Sequence, residues 1–186
     1  MNEQEYLQTF DELHNLSIEN RALMTESEFL DWAESVLILA YASGVEAVAS
    51  DLADSDLLDM AIDSTDIDNL EKALDFVVDG KTYKDRLSEY YNEGSDAEIT
   101  RVMETEYHRM FNTGGYDTAV KQGAIYKQWI TVGDDKVRDT HRYLEGIRVP
   151  IDMPFVTYDG DSAMTPGGFS LAENNVNCRC ITRYSR

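Results

Sequence analysis

The sequence predicts an α+β protein: a helical N-terminal region followed by a small C-terminal unit with a mainly antiparallel sheet and one or two helices. Three observations predict it. Apolar residues recur at helical spacing from the N-terminus to Gly114-Gly115, with no strand-like alternation on the way. Alternation and a tryptophan arrive together at Tyr126 to Thr131. The chain's 3 prolines, Pro150, Pro154 and Pro166, all lie beyond that point. Two regions follow, an acidic helical one over 1–94 and an α+β one over 95–186.

Residues 3–15 form a polar helix with Tyr6, Phe10 and Leu13 on one stripe. Thr25-Glu26-Ser27-Glu28 has the form of a capping box, in which the Thr and Glu side chains satisfy each other's free amides. Phe29, Trp32, Ala33, Val36, Leu39 and Ala40 follow at helical spacing, and the dense run Val36 to Tyr41 marks a central helix. A break between Asp51 and Asp56 precedes a short helical piece with Leu57, Leu58 and Met60. Thr65 or Asp66 caps a helix carrying Ile67, Leu70, Leu74 and Val77 that ends at Gly80; another carries Tyr83, Leu87, Tyr90 and Tyr91 and ends at Gly94. Ser95-Asp96-Ala97-Glu98 is a second capping box, and Gly114-Gly115 stops the helix it opens. Tyr126 to Thr131 is a strand. Asp134 or Asp135 caps a helix that ends at Gly146. Ile147 to Ile151 is an edge strand because of Pro150, Phe155 to Tyr158 leads into an Asp159-Gly160 turn, and Cys178 to Tyr184 closes the sheet.

The net charge of -20 is unevenly spread. Residues 1–100 hold 25 acidic against 5 basic side chains, whereas residues 101–186 hold 11 of each. The first half therefore repels nucleic acid, which binds where Lys and Arg replace counterions. It is either a solvated helical surface or a docking face for a basic partner. Two cysteines one residue apart make no disulfide framework and suit a reducing cytoplasm. The N-terminus lacks the basic and apolar regions of a signal peptide, and the run Val36 to Ala49 falls short of a bilayer span. No membrane partner is expected.

Val137, His141 and Leu144 share a helical stripe, so His141 points toward a core. Period-two alternation puts Cys178 and Cys180 on one face, with Arg179 and Arg183 opposite. Three readings stay open. His141, Cys178 and Cys180 pack as core residues. They bind a structural zinc, with Asp135, Asp139 or water as the fourth ligand. Or Cys178 is a nucleophile paired with His141, with Asp139 or Glu173 orienting the imidazole. Arg179 and Arg183 reach DNA phosphates or pair with nearby acids. The phosphate loop, the dinucleotide glycine fingerprint and the common hydrolase motifs are absent.

Several pieces occur in a fixed order: Thr105-Glu106 and Asn112 before Gly114-Gly115; Trp129 and Thr131 in a strand; Asp135-Lys136-Val137-Arg138-Asp139-Thr140-His141 before Leu144-Glu145-Gly146; then Pro166-Gly167, Glu173 and Asn177-Cys178-Arg179-Cys180. This order resembles the phage minor head protein family, typified by the Mu F and SPP1 head-morphogenesis proteins, over roughly residues 95 to 184. Family members often carry Cys-x-x-Cys where this chain has Arg138 and His141. Trp129, Asp135, Arg138, Gly146 and Arg179 are the structural motif positions that the resemblance marks. Two departures stand out: Leu144-Glu145-Gly146 replaces the usual Leu-Asp-Gly, and Asn174 to Asn177 replaces a proline-rich approach. The resemblance implies a non-enzymatic virion protein, made in the host bacterial cytoplasm, that associates with the portal and other head proteins in head morphogenesis or DNA packaging and ejection. It brings no established catalytic residues. Some members carry toxin or transferase domains after this unit, and none is expected here. The alternatives are a toxin-like hydrolase or nuclease using His141 and Cys178, and a protein–protein adaptor outside the virion.

Overall fold

Reciprocal side-chain caps start three of the long helices, as the sequence dictates. The computed structural model describes residues 3–51 and 64–186. Its elements are α1 (Glu3–Leu23), α2 (Glu26–Asp51), α3 (Ser64–Leu74), α4 (Tyr83–Glu93), α5 (Asp96–Lys121), β1 (Tyr126–Ile130), α6 (Asp139–Leu144), β2 (Arg148–Pro150), β3 (Phe155–Val156), β4 (Ser162–Ala163), α7 (Ala172–Asn175) and β5 (Ile181–Ser185). Thr25 and Glu28 exchange hydrogen bonds at the start of α2, and Ser95 and Glu98 do so at α5. Thr82 and Asp85 form a third box at α4, which the sequence reading passed over. The break between Asp51 and Asp56 and the helical piece at Leu57 to Met60 lie outside the described residues, as do the side chains of Tyr6, Phe10, Thr65 and Asp66.

The helices build one apolar core. Phe29, Ala33, Leu37 and Ala40 of α2 meet Ile99, Met103 and Met110 of α5, with Leu13, Tyr83 and Leu87 closing the sides. By length and composition Glu26–Ala49 of α2 would reach across a bilayer; here its buried stripe lies against α5. The two helices touch backbone to backbone. A Cβ on Gly44 would lie 1.9 Å from the Phe111 carbonyl oxygen, and one on Gly114 2.1 Å from that of Tyr41. Only glycine permits this approach. The Gly114-Gly115 pair therefore does not stop the helix: α5 runs through it to Lys121, because tertiary contact outweighs the pair's low helix propensity.

Arg21 sews α1 to the far end of α4. Its guanidinium donates to the Asp96 carboxylate at 2.7 Å and to the carbonyls of Tyr90, Tyr91 and Gly94 at 3.0, 3.1 and 2.6 Å. A cation is favourable at a helix C-terminus. Deeper in, Glu106 is 1% exposed and accepts from Arg86 at 2.6 Å and from Arg109 at 2.8 Å. α3 ends at Leu74 instead of Gly80. The chain then turns, so that Val78 is buried and Val77 exposed.

The C-terminal sheet is antiparallel, with strand order β2-β1-β5; β3 and β4 form a separate hairpin. Its core holds Trp129, Leu144, Phe155, Phe169, Cys178 and Cys180. Two expectations are corrected. Arg138, not Asp134 or Asp135, stands at the cap of α6, because the Asp134 carboxylate is held by the Lys136 amide and Arg179. And β5 starts at Ile181, so Cys178 to Cys180 run in irregular backbone ahead of it.

Two outcomes follow for urea unfolding. Gly44→Ala lowers stability by about 2 kcal/mol or more despite alanine's better helix propensity; an increase would refute the contact. Glu106→Ala strands two guanidinium groups and costs about 3–5 kcal/mol; a loss under 1 kcal/mol would show the pair to be solvated.

Candidate metal centre

The site is built where two irregular segments are clamped together. On one side, Gly133 adopts φ 72 and Asp134 turns the chain into the six-residue helix α6. That helix puts His141 and Leu144 inward. On the other side, Asn177 adopts φ 55 and swings the chain after α7 so that Cys178 and Cys180 both face His141. Arg138 fastens the two segments by donating to the carbonyls of Glu173 and Val176. Arg179 adds a 2.8 Å pair with Asp134.

His141, Cys178 and Cys180 are 1%, 5% and 3% exposed. The imidazole Nδ1 lies 3.6 Å from Cys178 Sγ and 3.5 Å from Cys180 Sγ. All three donor atoms lie within 4.8 Å of one another, the one such His/Cys/Asp/Glu group among the described residues. The imidazole stacks on Phe169, with centroids 5.6 Å apart, and meets Trp129 edge-on at 5.2 Å. These rings hold the His141 plane, while Nε2 has no hydrogen-bond partner among the described residues. The cysteines are free thiols. Burial raises the Cys178 thiol, but its hydrogen bonds with the Cys180 side chain and backbone, together with Arg138 and Arg179, outweigh that and lower it overall. The Cys180 thiol goes up, first through its hydrogen bond to Cys178 and then through burial. Of the two thiols, Cys178 is therefore the more readily ionised, and the thiolate is the form that attacks or ligates.

A cavity of about 10 Å³ adjoins the three side chains, bordered also by Val137, Arg138 and Arg179. That is room for about one water and no organic substrate. The carboxylates named from the sequence face elsewhere. Asp139 pairs with Arg142 at 3.0 Å, its side chain 80% exposed. Asp135 is exposed and engages Arg142 through its carbonyl. Glu173 is exposed and offers its carbonyl to Arg138. Among the motif positions, Trp129 is fully buried, and Gly146 donates its amide to the Trp129 carbonyl at 2.9 Å.

Four buried polar side chains behind the site escaped the sequence reading. His108 on α5 hydrogen-bonds the backbone of Cys180 and accepts from the Asn112 amide at 3.1 Å. Burial pulls its pKa down to about 4. Lys127 on β1 is wholly buried. It donates to the Met164 carbonyl at 2.8 Å and sits over the Tyr116 and Phe155 rings; burial lowers it to about 8. Asn175 clamps the Phe169 backbone, accepting from its amide at 3.0 Å and donating to its carbonyl at 2.7 Å. Asn174 bridges Asp161 and Thr140. The period-two phase shared by Lys127 and Trp129 was the available signal for the lysine.

Comparison with known proteins gives the following. The family model described as "Phage Mu protein F like protein" matches residues 68–183. An NAD(+)--arginine ADP-ribosyltransferase EFV from Enterococcus faecalis is 35% identical over 56% of this chain and 22% of its own length. The minor head protein GP7 of Bacillus phage SPP1 is 31% identical over 47% of this chain and 30% of its own. The chain thus spans under a third of the curated relatives it matches. No solved structure matches.

His108 makes the fold acid-sensitive. Its folded pKa of about 4 lies below the ordinary 6.5, so the unfolded chain binds the extra proton between those values. Stability from this group is complete above pH 6.5 and is lost as pH falls toward 4, by about 3 kcal/mol. In urea titrations at pH 7 and pH 4, wild type should lose roughly that much more than His108→Gln; equal losses would refute the assignment.

Proposed function

This chain belongs to the phage Mu protein F like family, and from that premise we propose that it is a minor head protein of a phage or prophage. In this reading it is made in the host cytoplasm, docks at the portal and enters the virion, where it serves head morphogenesis and DNA packaging or ejection. The observation that carries the reading is the family match across residues 68–183, which spans α4, α5 and the C-terminal sheet as far as the middle of β5. The similarity to a protein named as a phage minor head protein supports it.

The charge distribution suggests how docking would work. The surplus of 20 acidic groups resides in residues 1–100, so a basic or mixed partner face would be drawn to the helices. Residues 101–186 are charge-balanced, and Arg179 is paired with Asp134, which argues against extensive DNA contact.

The second reading is enzymatic, through His141 and Cys178. The lowered Cys178 thiol and the relative named as an ADP-ribosyltransferase favour it. The water-sized cavity disfavours it, since a nucleophile needs space for its substrate. The similarity covers only 22% of that relative, and its named activity is not proposed for this chain.

The test is co-purification with the portal protein of the same phage or prophage. Reversing the exposed charges Asp11, Glu19 and Asp31 to lysine should slow association by roughly tenfold and flatten its salt dependence. Absence of a complex between the unaltered proteins, together with absence of the chain from purified virions, would overturn the reading.

A further inference from the structure

We propose that His141, Cys178 and Cys180 bind one zinc ion, with a water in the adjoining cavity as the fourth ligand. The argument is geometric. Zinc–sulfur bonds of about 2.3 Å and zinc–nitrogen bonds of about 2.0–2.1 Å at a tetrahedral centre require nitrogen–sulfur edges of about 3.6 Å. The two edges here are 3.6 and 3.5 Å. Both sulfurs approach the same nitrogen, Nδ1, as ligands sharing one ion must. A thiol can donate a hydrogen bond to an imidazole nitrogen, but that nitrogen has one lone pair and accepts from one thiol only, so hydrogen bonding by itself does not bring both sulfurs to Nδ1.

Charge and space agree with the assignment. Zinc with two thiolates and a neutral imidazole carries no net charge, so its burial avoids the penalty of an isolated ion. Each thiol yields its proton to solvent as its zinc–sulfur bond forms, so two protons leave per ion. The third vertex is His141, held between Phe169 and Trp129. Among the described residues no carboxylate joins the group, and the cavity of about 10 Å³ accommodates about one water. Three protein ligands and a water form the open coordination usual for catalytic zinc, but the cavity here leaves no room for a substrate, which gives the ion a structural role. Zinc would join α6 to the segment before β5, which are otherwise held mainly by the clamp of Arg138 and by Arg179 with Asp134. The irregular backbone at Cys178 to Cys180 fits that role, since no strand pairing fixes it there.

The experiment uses the full chain, expressed without a histidine tag in zinc-supplemented medium. One zinc per chain is expected by elemental analysis, with both thiols unreactive until a chelator is added. Cobalt exchanged into the site should show thiolate charge-transfer bands and the absorption of a tetrahedral ion. Adding zinc to chelated protein should release two protons per ion near neutral pH. Cys178→Ser and Cys180→Ser should each abolish stoichiometric binding, His141→Ala should weaken it at least tenfold, and His141→Cys should restore it. Substoichiometric zinc in the wild type, cobalt spectra without charge transfer, or zinc that persists in Cys180→Ser would each overturn the proposal. The wild-type stoichiometry and cobalt spectrum decide the matter even if a variant fails to fold. They are independent of whether the chain enters a phage head, so failure here leaves the head-protein reading standing.

Discussion

The close contact between α2 and α5 sets the frame for everything else. Gly44 and Gly114 place two helix backbones so near that no Cβ fits between them. This fixes the position of α5, and α5 is the element both halves share. Its outer positions complete the helical core through Ile99, Met103 and Met110. Further along, Tyr116 donates to the Ile151 carbonyl and underlies Lys127. The turn at Pro166-Gly167 rests against the same helix: Gly167 has φ +86, and a Cβ there would lie 3.0 Å from the Arg109 backbone.

Burying polar groups on such a spine is costly unless each is partnered. Along α5, Glu106, His108, Arg109 and Asn112 are all nearly inaccessible. Glu106 is held by two arginines, and His108 by Asn112 and the Cys180 backbone. A helix with polar side chains at this depth is specified as well as stabilised, because a rotation or slip would leave charges unpaired. The link from His108 to Cys180 also ties the helical spine directly to the candidate metal centre. Sheet, helix α6 and cysteine segment therefore share one scaffold, consistent with a family defined by ordered pieces spread along the chain.

Much of the fold was legible because its signals are local. Capping boxes at Thr25 and Ser95, the stripe of α4, that of α2 except for Leu39, which is exposed where Leu37 is buried, the strand at Trp129 and the Asp159-Gly160 turn depend on neighbours in sequence. The grouping of His141, Cys178 and Cys180 was also legible, although the strand expected to put both cysteines on one face begins only at Ile181. The errors arose where distant groups compete with local rules. Gly114-Gly115 reads as a stop until α2 is seen to need it as a contact. Asp134 reads as a cap until Arg179, 45 residues on, takes its carboxylate. Lys127 was not singled out, because it is the rings of Tyr116 and Phe155 and the Met164 carbonyl that enclose it.

By itself, then, the sequence determined the α+β class, the succession of most elements, the acidic character of the first half and the identity of the three soft donors. Each is a property of composition or short-range periodicity, which water and backbone geometry read without knowledge of the fold. Tertiary structure alone decided that both cysteine sulfurs meet one imidazole nitrogen, that Asp135, Asp139 and Glu173 stay out of that group, and that only a water-sized space remains beside it. These are distances between segments 37 and 39 residues apart. They are set by the Asn177 turn, the Arg138 clamp and the packing around Trp129, and no short-range rule encodes a distance of that kind.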